Sequence, residues 1–206
     1  TATRTVTVNP LPIAAITGDN TICIGESTTL TASGGGTYLW STGATTAAIT
    51  VNPITTTTYT VTVTAAQGCT DTESIVVTVN PLPQANITGD GTICVGESTT
   101  LTATGGISYV WNTTPPQTTA SITVSPIVNT TYIVTVTNAN GCTATATRAV
   151  TVNPLPVAVI TGDQIICLGL SDTLFASGAG VNGSYLWSTG QTTSSIIVAP
   201  IVNTTY

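Results

Sequence analysis

Between Tyr59 and Thr64 the chain alternates strictly, with Tyr59, Val61 and Val63 on one side and Thr60, Thr62 and Thr64 on the other. A period of two marks a half-buried strand. "AITVNP" from Ala48 and "SIVVTVN" from Ser74 read the same way. Gly, Asn and Pro punctuate the chain about every 8–12 residues, and no stretch carries the 3.6-residue period of a helix. Many short strands at that spacing predict an all-β protein built of antiparallel β-sandwiches.

The strand pattern repeats. "VNPLPIAAITGD" from Val8 returns as "VNPLPQANITGD" from Val79 and "VNPLPVAVITGD" from Val152. Each copy is followed by a Cys-x-Gly turn, an apolar-threonine run, a Tyr-hydrophobic-Trp triplet and a Thr-rich run reaching a Tyr. The triplets hold Trp40, Trp111 and Trp187, and the runs reach Tyr59, Tyr132 and Tyr206. "TATRTVTVNP" at the start matches "TATRAVTVNP" at 145–154, the last strand of a repeat. The expected layout is therefore a terminal strand of a preceding repeat at 1–9, repeat one at 10–80, repeat two at 81–153, and repeat three at 154–206 without its last two strands. Such a frame reads as an excerpt of a longer head-to-tail array, and no secretion signal opens it.

Composition narrows the function. Charged residues are 5% of the chain, there is no His or Lys, and threonine accounts for 50 of 206 residues. The solvated faces are thus hydroxylated where ordinary domains carry about 25% charge. With two arginines and a net charge of −6 there is no phosphate-binding footprint and no attraction to an anionic membrane surface. No apolar run approaches the length of a membrane span. Without His or Lys the chain lacks an ordinary general base, a Ser-His or Cys-His pair and a zinc set, so catalysis is not expected.

A Trp on the third strand and a Tyr opening the sixth are landmarks of immunoglobulin-like sandwiches. On "TICIGESTTLTASGG", "YLW", "TTTYTVTVTAAQGC" and "VTVNPLP", the chain resembles the PKD-like and Ig-like tandem repeats of large Bacteroidota surface proteins, among them gliding adhesins and other cargo of the type IX secretion pathway. The resemblance implies an extracellular, cell-surface protein of structural or adhesive role. The chain departs from antibody domains at Leu30 and Val61, which stand where the inter-sheet cysteines would be.

Five cysteines leave two pairings open, with free thiols as the third alternative. Cys23, Cys94 and Cys167 precede the second strand, and Cys69 and Cys142 lie in the hairpin opening the last one. Pairing within each repeat gives Cys23–Cys69 and Cys94–Cys142. In an Ig-like order, however, those turns lie at opposite ends of the sandwich, roughly 25 Å apart for a strand of about eight residues, whereas a disulfide needs Cα atoms within about 7 Å. Head-to-tail stacking brings the second-strand turn of one repeat to the hairpin of the next. It pairs Cys23 with Cys142 and sends Cys69, Cys94 and Cys167 to partners beyond 1–206. Either pairing belongs to an oxidising, extracellular setting. A repeat of about 72 residues buries only about 60% of its unfolded surface, so a bridge is a sizeable addition.

The remaining candidates are weighed against plainer roles. Asp19, Asp90 and Asp163 recur in Thr-Gly-Asp and read as turn residues satisfying local backbone donors. Glu26 and Glu97 recur before the second strand, but Leu170 replaces them in repeat three, which weakens any calcium site at the joints; calcium remains the one cofactor entertained. The acidic pairs Asp71/Glu73 and Glu26/Asp19 could do acid–base work, but neither recurs in all three repeats. Trp40, Trp111, Trp187, Tyr59, Tyr132 and Tyr206 are assigned to the core, with Tyr59 expected to make a corner hydrogen bond; a sugar-stacking platform at Tyr38, Trp40 and Tyr59 is the rival. Asn86, Asn112, Asn129, Asn182 and Asn203 match Asn-x-Ser/Thr, a motif that a Thr-rich chain produces by chance. "DTL" at 172–174 resembles the O-glycosylation signal of Bacteroidota, with Thr173 as acceptor. The expected role is a stiff, non-enzymatic stalk or filament segment whose partners are neighbouring repeats. Polysaccharide-binding adhesin repeats, or a fibre assembling with other copies by strand exchange, are the alternatives.

Overall fold

In the computed structural model, which describes residues 2–206, every regular element is a strand. Seven strands make the first set: β1 (Ala15–Thr17), β2 (Thr21–Cys23), β3 (Thr28–Ser33), β4 (Thr37–Trp40), β5 (Ala48–Val51), β6 (Thr57–Thr64) and β7 (Thr70–Asn80). They form two sheets, ordered β1-β3-β5 and β2-β7-β6-β4. Alternation decides which side chains lie between them. Leu30 and Ala32 of β3 and Tyr59, Val61 and Val63 of β6 point inward, while the threonines between them face solvent. With Ala14, Ile22, Trp40, Ile49, Val51 and Val77 they make one core. This is an immunoglobulin-like sandwich, and the absent inter-sheet disulfide is replaced by Leu30 and Val61, both fully buried.

The Thr-Gly-Asp turn has a specific job in it. β1 runs antiparallel to β3 in one sheet, and four residues later β2 runs parallel to β7 in the other. The chain crosses between the sheets at Gly18, whose φ is +139°, and a Cβ there would lie 2.4 Å from the Thr29 carbonyl oxygen. Only glycine fits that backbone approach. The Thr28 hydroxyl then donates to the Asp19 carbonyl at 2.9 Å and latches the crossing to β3. Thus the backbone of Asp19, and not its side chain, carries the turn.

The strand succession returns as β8 (Asn86–Thr88), β9 (Thr92–Cys94), β10 (Thr99–Thr104), β11 (Ser108–Trp111), β12 (Ser121–Val124), β13 (Thr130–Thr137) and β14 (Thr143–Asn153), in sheets ordered β12-β10-β8 and β11-β13-β14-β9. A shorter set follows: β15 (Val159–Thr161), β16 (Asp172–Ser177) and β17 (Ser195–Val198), in one sheet. By contact, the chain divides into two compact units, Thr1–Gly91 with Thr99–Val124 and Thr130–Ala149, and Thr92–Ser98 with Ser125–Asn129 and Val150–Tyr206. The first holds β1–β8, β10–β13, most of β14 and the first joint. In the second, the end of β14 pairs in parallel with β9, and Trp187 packs with Ile196 and Val198 of β17, with Leu174 and Ala176 of β16 and Tyr206 against them.

Two segments depart from the sequence expectation, and a third departs from its own counterparts. Residues 2–9, expected as a strand, are irregular and exposed, with Val6 and Val8 at 80% and 88%. "SYLW" at 184–187 and "IIC" at 165–167 are not strands, although their counterparts β4, β11, β2 and β9 are. The reason is shared. β4 and β11 are held by β6 and β13, and β2 and β9 by β7 and β14; no such neighbour occurs beside these segments among the described residues. The last strand of a full set is also longer than expected, eleven residues in β7 and in β14.

Candidate functional site

Two of the five cysteines, Cys23 and Cys142, meet at the joint between the first two strand sets, and local chemistry aims both of them. Cys23 closes β2 in register with Asn80, the last residue of β7, and the Ile24 amide donates to the Asn80 carbonyl at 2.9 Å. Past Cys23 the chain turns at Gly25, φ +90°. The Cys23 amide donates to Glu26 Oε2 at 2.9 Å, and the Glu26 amide returns a bond to the Cys23 carbonyl at 3.0 Å. Glu26 is thus a backbone acceptor that stiffens the turn.

From the other side, the hairpin after β13 is shaped by Asn138. Its Oδ1 accepts the amides of Asn140 and Cys142, each at 3.0 Å, an Asx turn that leaves its Nδ2 free to reach across the joint. That nitrogen donates to the Pro81 carbonyl of the linker at 2.9 Å. Cys142 is 1% exposed and is disulfide-bonded to Cys23, with Cα atoms 5.6 Å apart and a sequence separation of 119. The bridge therefore joins one strand set to the next; Cys23 is not paired with Cys69, nor Cys94 with Cys142. Asn138 was not singled out from sequence, yet "NANGC" is an Asx-turn signature, and Ala65 holds the matching place before Cys69.

Cys69, Cys94 and Cys167 are free thiols. Cys69 Sγ lies 3.9 Å from the Asn9 carbonyl, and Asn9 is the sequence counterpart of Asn80. Cys94 repeats the setting of Cys23: it registers with Asn153, the Val95 amide donates to Asn153, and its own amide donates to Glu97 Oε2 at 2.8 Å. At Cys167 the turn survives through the Leu170 amide, 3.0 Å from its carbonyl, but without the carboxylate.

The aromatic landmarks lie in cores. Trp40, Trp111 and Trp187 are buried, as are Tyr59 and Tyr132; Tyr206 is half-buried against Trp187. Each indole N–H donates to a threonine carbonyl before the fifth strand: Trp40 to Thr46, Trp111 to Thr119 and Trp187 to Thr193, all at 2.8–2.9 Å. Burial of these rings removes the sugar-stacking face proposed from sequence for Trp40 and Tyr59. The corner bond expected of the Tyr59 hydroxyl is not found among the described residues; Tyr59 packs as a wall of the core. Burial pushes the Tyr132 hydroxyl above its ordinary pKa of 10.0.

Four of the eight carboxylates, those of Glu26, Asp71, Glu97 and Asp172, accept backbone amides. Asp71 Oδ2 accepts from Ala14 at 2.9 Å. Asp90, like Asp19, uses its carbonyl, accepting from Thr99 at 3.2 Å. Repeat three inverts the latch: Asp172 replaces the threonine, and its Oδ2 accepts the Asp163 amide at 2.8 Å. Thr173 is half-buried on β16 opposite Ile197. Of the asparagines in sequons, Asn112 bonds Thr131 and Ile133, and Asn129 accepts from Val152. Among the described residues no three metal-ligating side chains cluster.

No family model matches the chain, and no curated protein does. Among solved structures it is similar to murine CEACAM1b, at 13% identity over 69% of this chain and 100% of that one, with a TM-score of 0.36. It is also similar to a Ca2+-stabilized adhesin of an Antarctic bacterium that binds ice, at 17% identity over 91% of this chain and 66% of that one, TM-score 0.42. A third is a 1.5-MDa bacterial ice-binding adhesin, at 14% identity over 92% and 88%, TM-score 0.36.

Proposed function

We propose that the chain is a non-enzymatic, stiff spacer segment of an extracellular surface protein, projecting an adhesive or otherwise functional module from the cell. The observation that carries this is the Cys23–Cys142 bridge across the first joint. A linker alone leaves two neighbouring sandwiches free to bend. Here the linker is Pro-bracketed, each proline fixing its φ, a side-chain bond from Asn138 reaches its Pro81 carbonyl, and a second covalent connection stands beside it. Two covalent ties at one joint remove a hinge that one tie permits.

The hydroxylated, charge-poor strand faces, with cross-strand pairs such as Thr29–Thr50 and Thr100–Thr123 at 3.3 Å, suit a solvated shaft. A disulfide supports an oxidising, extracellular setting, and the array resembles those of Bacteroidota surface proteins. Joint stiffness is assigned to the bridge and the prolines; Glu26 and Glu97 each accept a backbone amide within their own turn.

The test is the alignment of the two strand sets in solution. Residual dipolar couplings of the oxidised chain are expected to give one shared tensor for residues 15–80 and 86–137. Two distinct tensors with the bridge intact would show a bending joint and refute the spacer as described.

A further inference from the structure

We infer that the Cys23–Cys142 bridge carries tensile load past the interior of both strand sets, so that the segment resists lengthening even when its sandwiches unfold. This deepens the spacer reading and rests on it for the direction of pull, along the chain from end to end. Tension entering at the N-terminal side runs through β1 and β2 to Cys23, crosses the disulfide to Cys142, and leaves along β14. Strands β3 to β13 all lie between the two cysteines in sequence. They are outside the load path, and their unfolding adds no length. At about 3.3–3.6 Å per extended residue, a separation of 119 withholds roughly 400 Å of contour.

The positions of the other thiols extend the device. Cys94 has the register, the backbone bond and the glutamate of Cys23, and Cys69 stands by Asn9 on the hairpin that matches that of Cys142. Both lie inside the loop that Cys23–Cys142 closes. Bridges from Cys94 to a following hairpin and to Cys69 from a preceding strand would therefore interlace with it. In such a ladder no repeat can be drawn out alone, because the loop enclosing it is tied to the next.

The experiment is single-molecule stretching of the chain held by thiol-free handles at its two ends. The oxidised wild type is expected to reach a fully unfolded length roughly 400 Å short of the same chain in a dithiol reductant. There the bridge takes two electrons and two protons from the dithiol, which closes to a cyclic disulfide. Cys142→Ser should extend fully without reductant, and Cys69→Ser should keep the shortfall. Should Cys142→Ser not fold, the wild type with and without reductant makes the same comparison. An oxidised chain that lengthens as far as the reduced one overturns the inference. A shortfall that persists while the two strand sets align independently upholds the load path and refutes only the stiff joint.

Discussion

Replacing Trp40 by alanine is the sharpest probe of how these sandwiches are held. The ring is 2% exposed within a core of eleven buried residues. An indole buries about 150–250 Å², which at about 25 cal/mol per Å² amounts to roughly 4–6 kcal/mol. Measured truncations of buried aromatics, cavity included, fall at about 3–5 kcal/mol. The Thr46 carbonyl also loses its indole partner at 2.9 Å, adding about 1 kcal/mol. A sandwich of this size holds only about 4–11 kcal/mol in total, so Trp40→Ala should leave the first strand set barely folded. Trp187→Ala should cost about half as much. Its indole keeps the same bond to Thr193, but among the described residues its core has two other buried members, Ile196 and Val198, with Leu174, Ala176 and Tyr206 half-buried against them, and it lines a groove of about 220 Å³ that water can enter, which reduces the cavity term. Native-state hydrogen exchange at Val61 and Val63 for the first variant, and at Leu174 and Ile196 for the second, reads each set separately. Equal losses in the two would mean that burial between two sheets does not set the cost, and the reasoning would fail.

Removing the bridge by Cys142→Ser should lower stability by about 5 kcal/mol in the chain-entropy view for a loop of this length, seen as a fall in the urea midpoint; no change would mean the joint is held without it. Gly18→Ala should destabilise by at least 2 kcal/mol, since it places a Cβ against the Thr29 carbonyl at positive φ, while Gly25→Ala, with open space around it, should cost less; thermal melts rank the two. The raised pKa of Tyr132 means the folded state favours the neutral phenol, so its contribution is full below pH 10 and is lost as pH rises through the folded value. Stability measured from pH 8 to 12 should fall at the alkaline end, and Tyr132→Phe should flatten that part of the curve. Asp172→Ala should loosen the third-set turn, visible as faster exchange of the Asp163 amide, whereas Asp19→Ala should leave the first turn unchanged because only its carbonyl is used.

The sequence by itself determined the strand class, the threefold recurrence and the identity of the buried rings. Those properties are local: alternation of Val and Thr assigns each side chain to a face wherever the strand pairs, and a Trp among hydroxyls has one dry place to go. The residues that hold those rings were less legible, since Thr46, Thr119 and Thr193 act through carbonyls that every residue owns. The glycine of Thr-Gly-Asp was visible as a turn, but its reason, a backbone passing against Thr29 while the chain changes sheets, exists only once both sheets are in place. Tertiary structure likewise decided that the Tyr-hydrophobic-Trp triplet makes a strand at Trp40 and Trp111 and not at Trp187, because a strand needs its neighbour's amides and carbonyls as much as its own sequence. It decided too which cysteine meets Cys23. A pair 119 residues apart is set by how β2 ends beside β7 and how the Asn138 hairpin is aimed, and disulfide geometry admits only partners within a few ångströms.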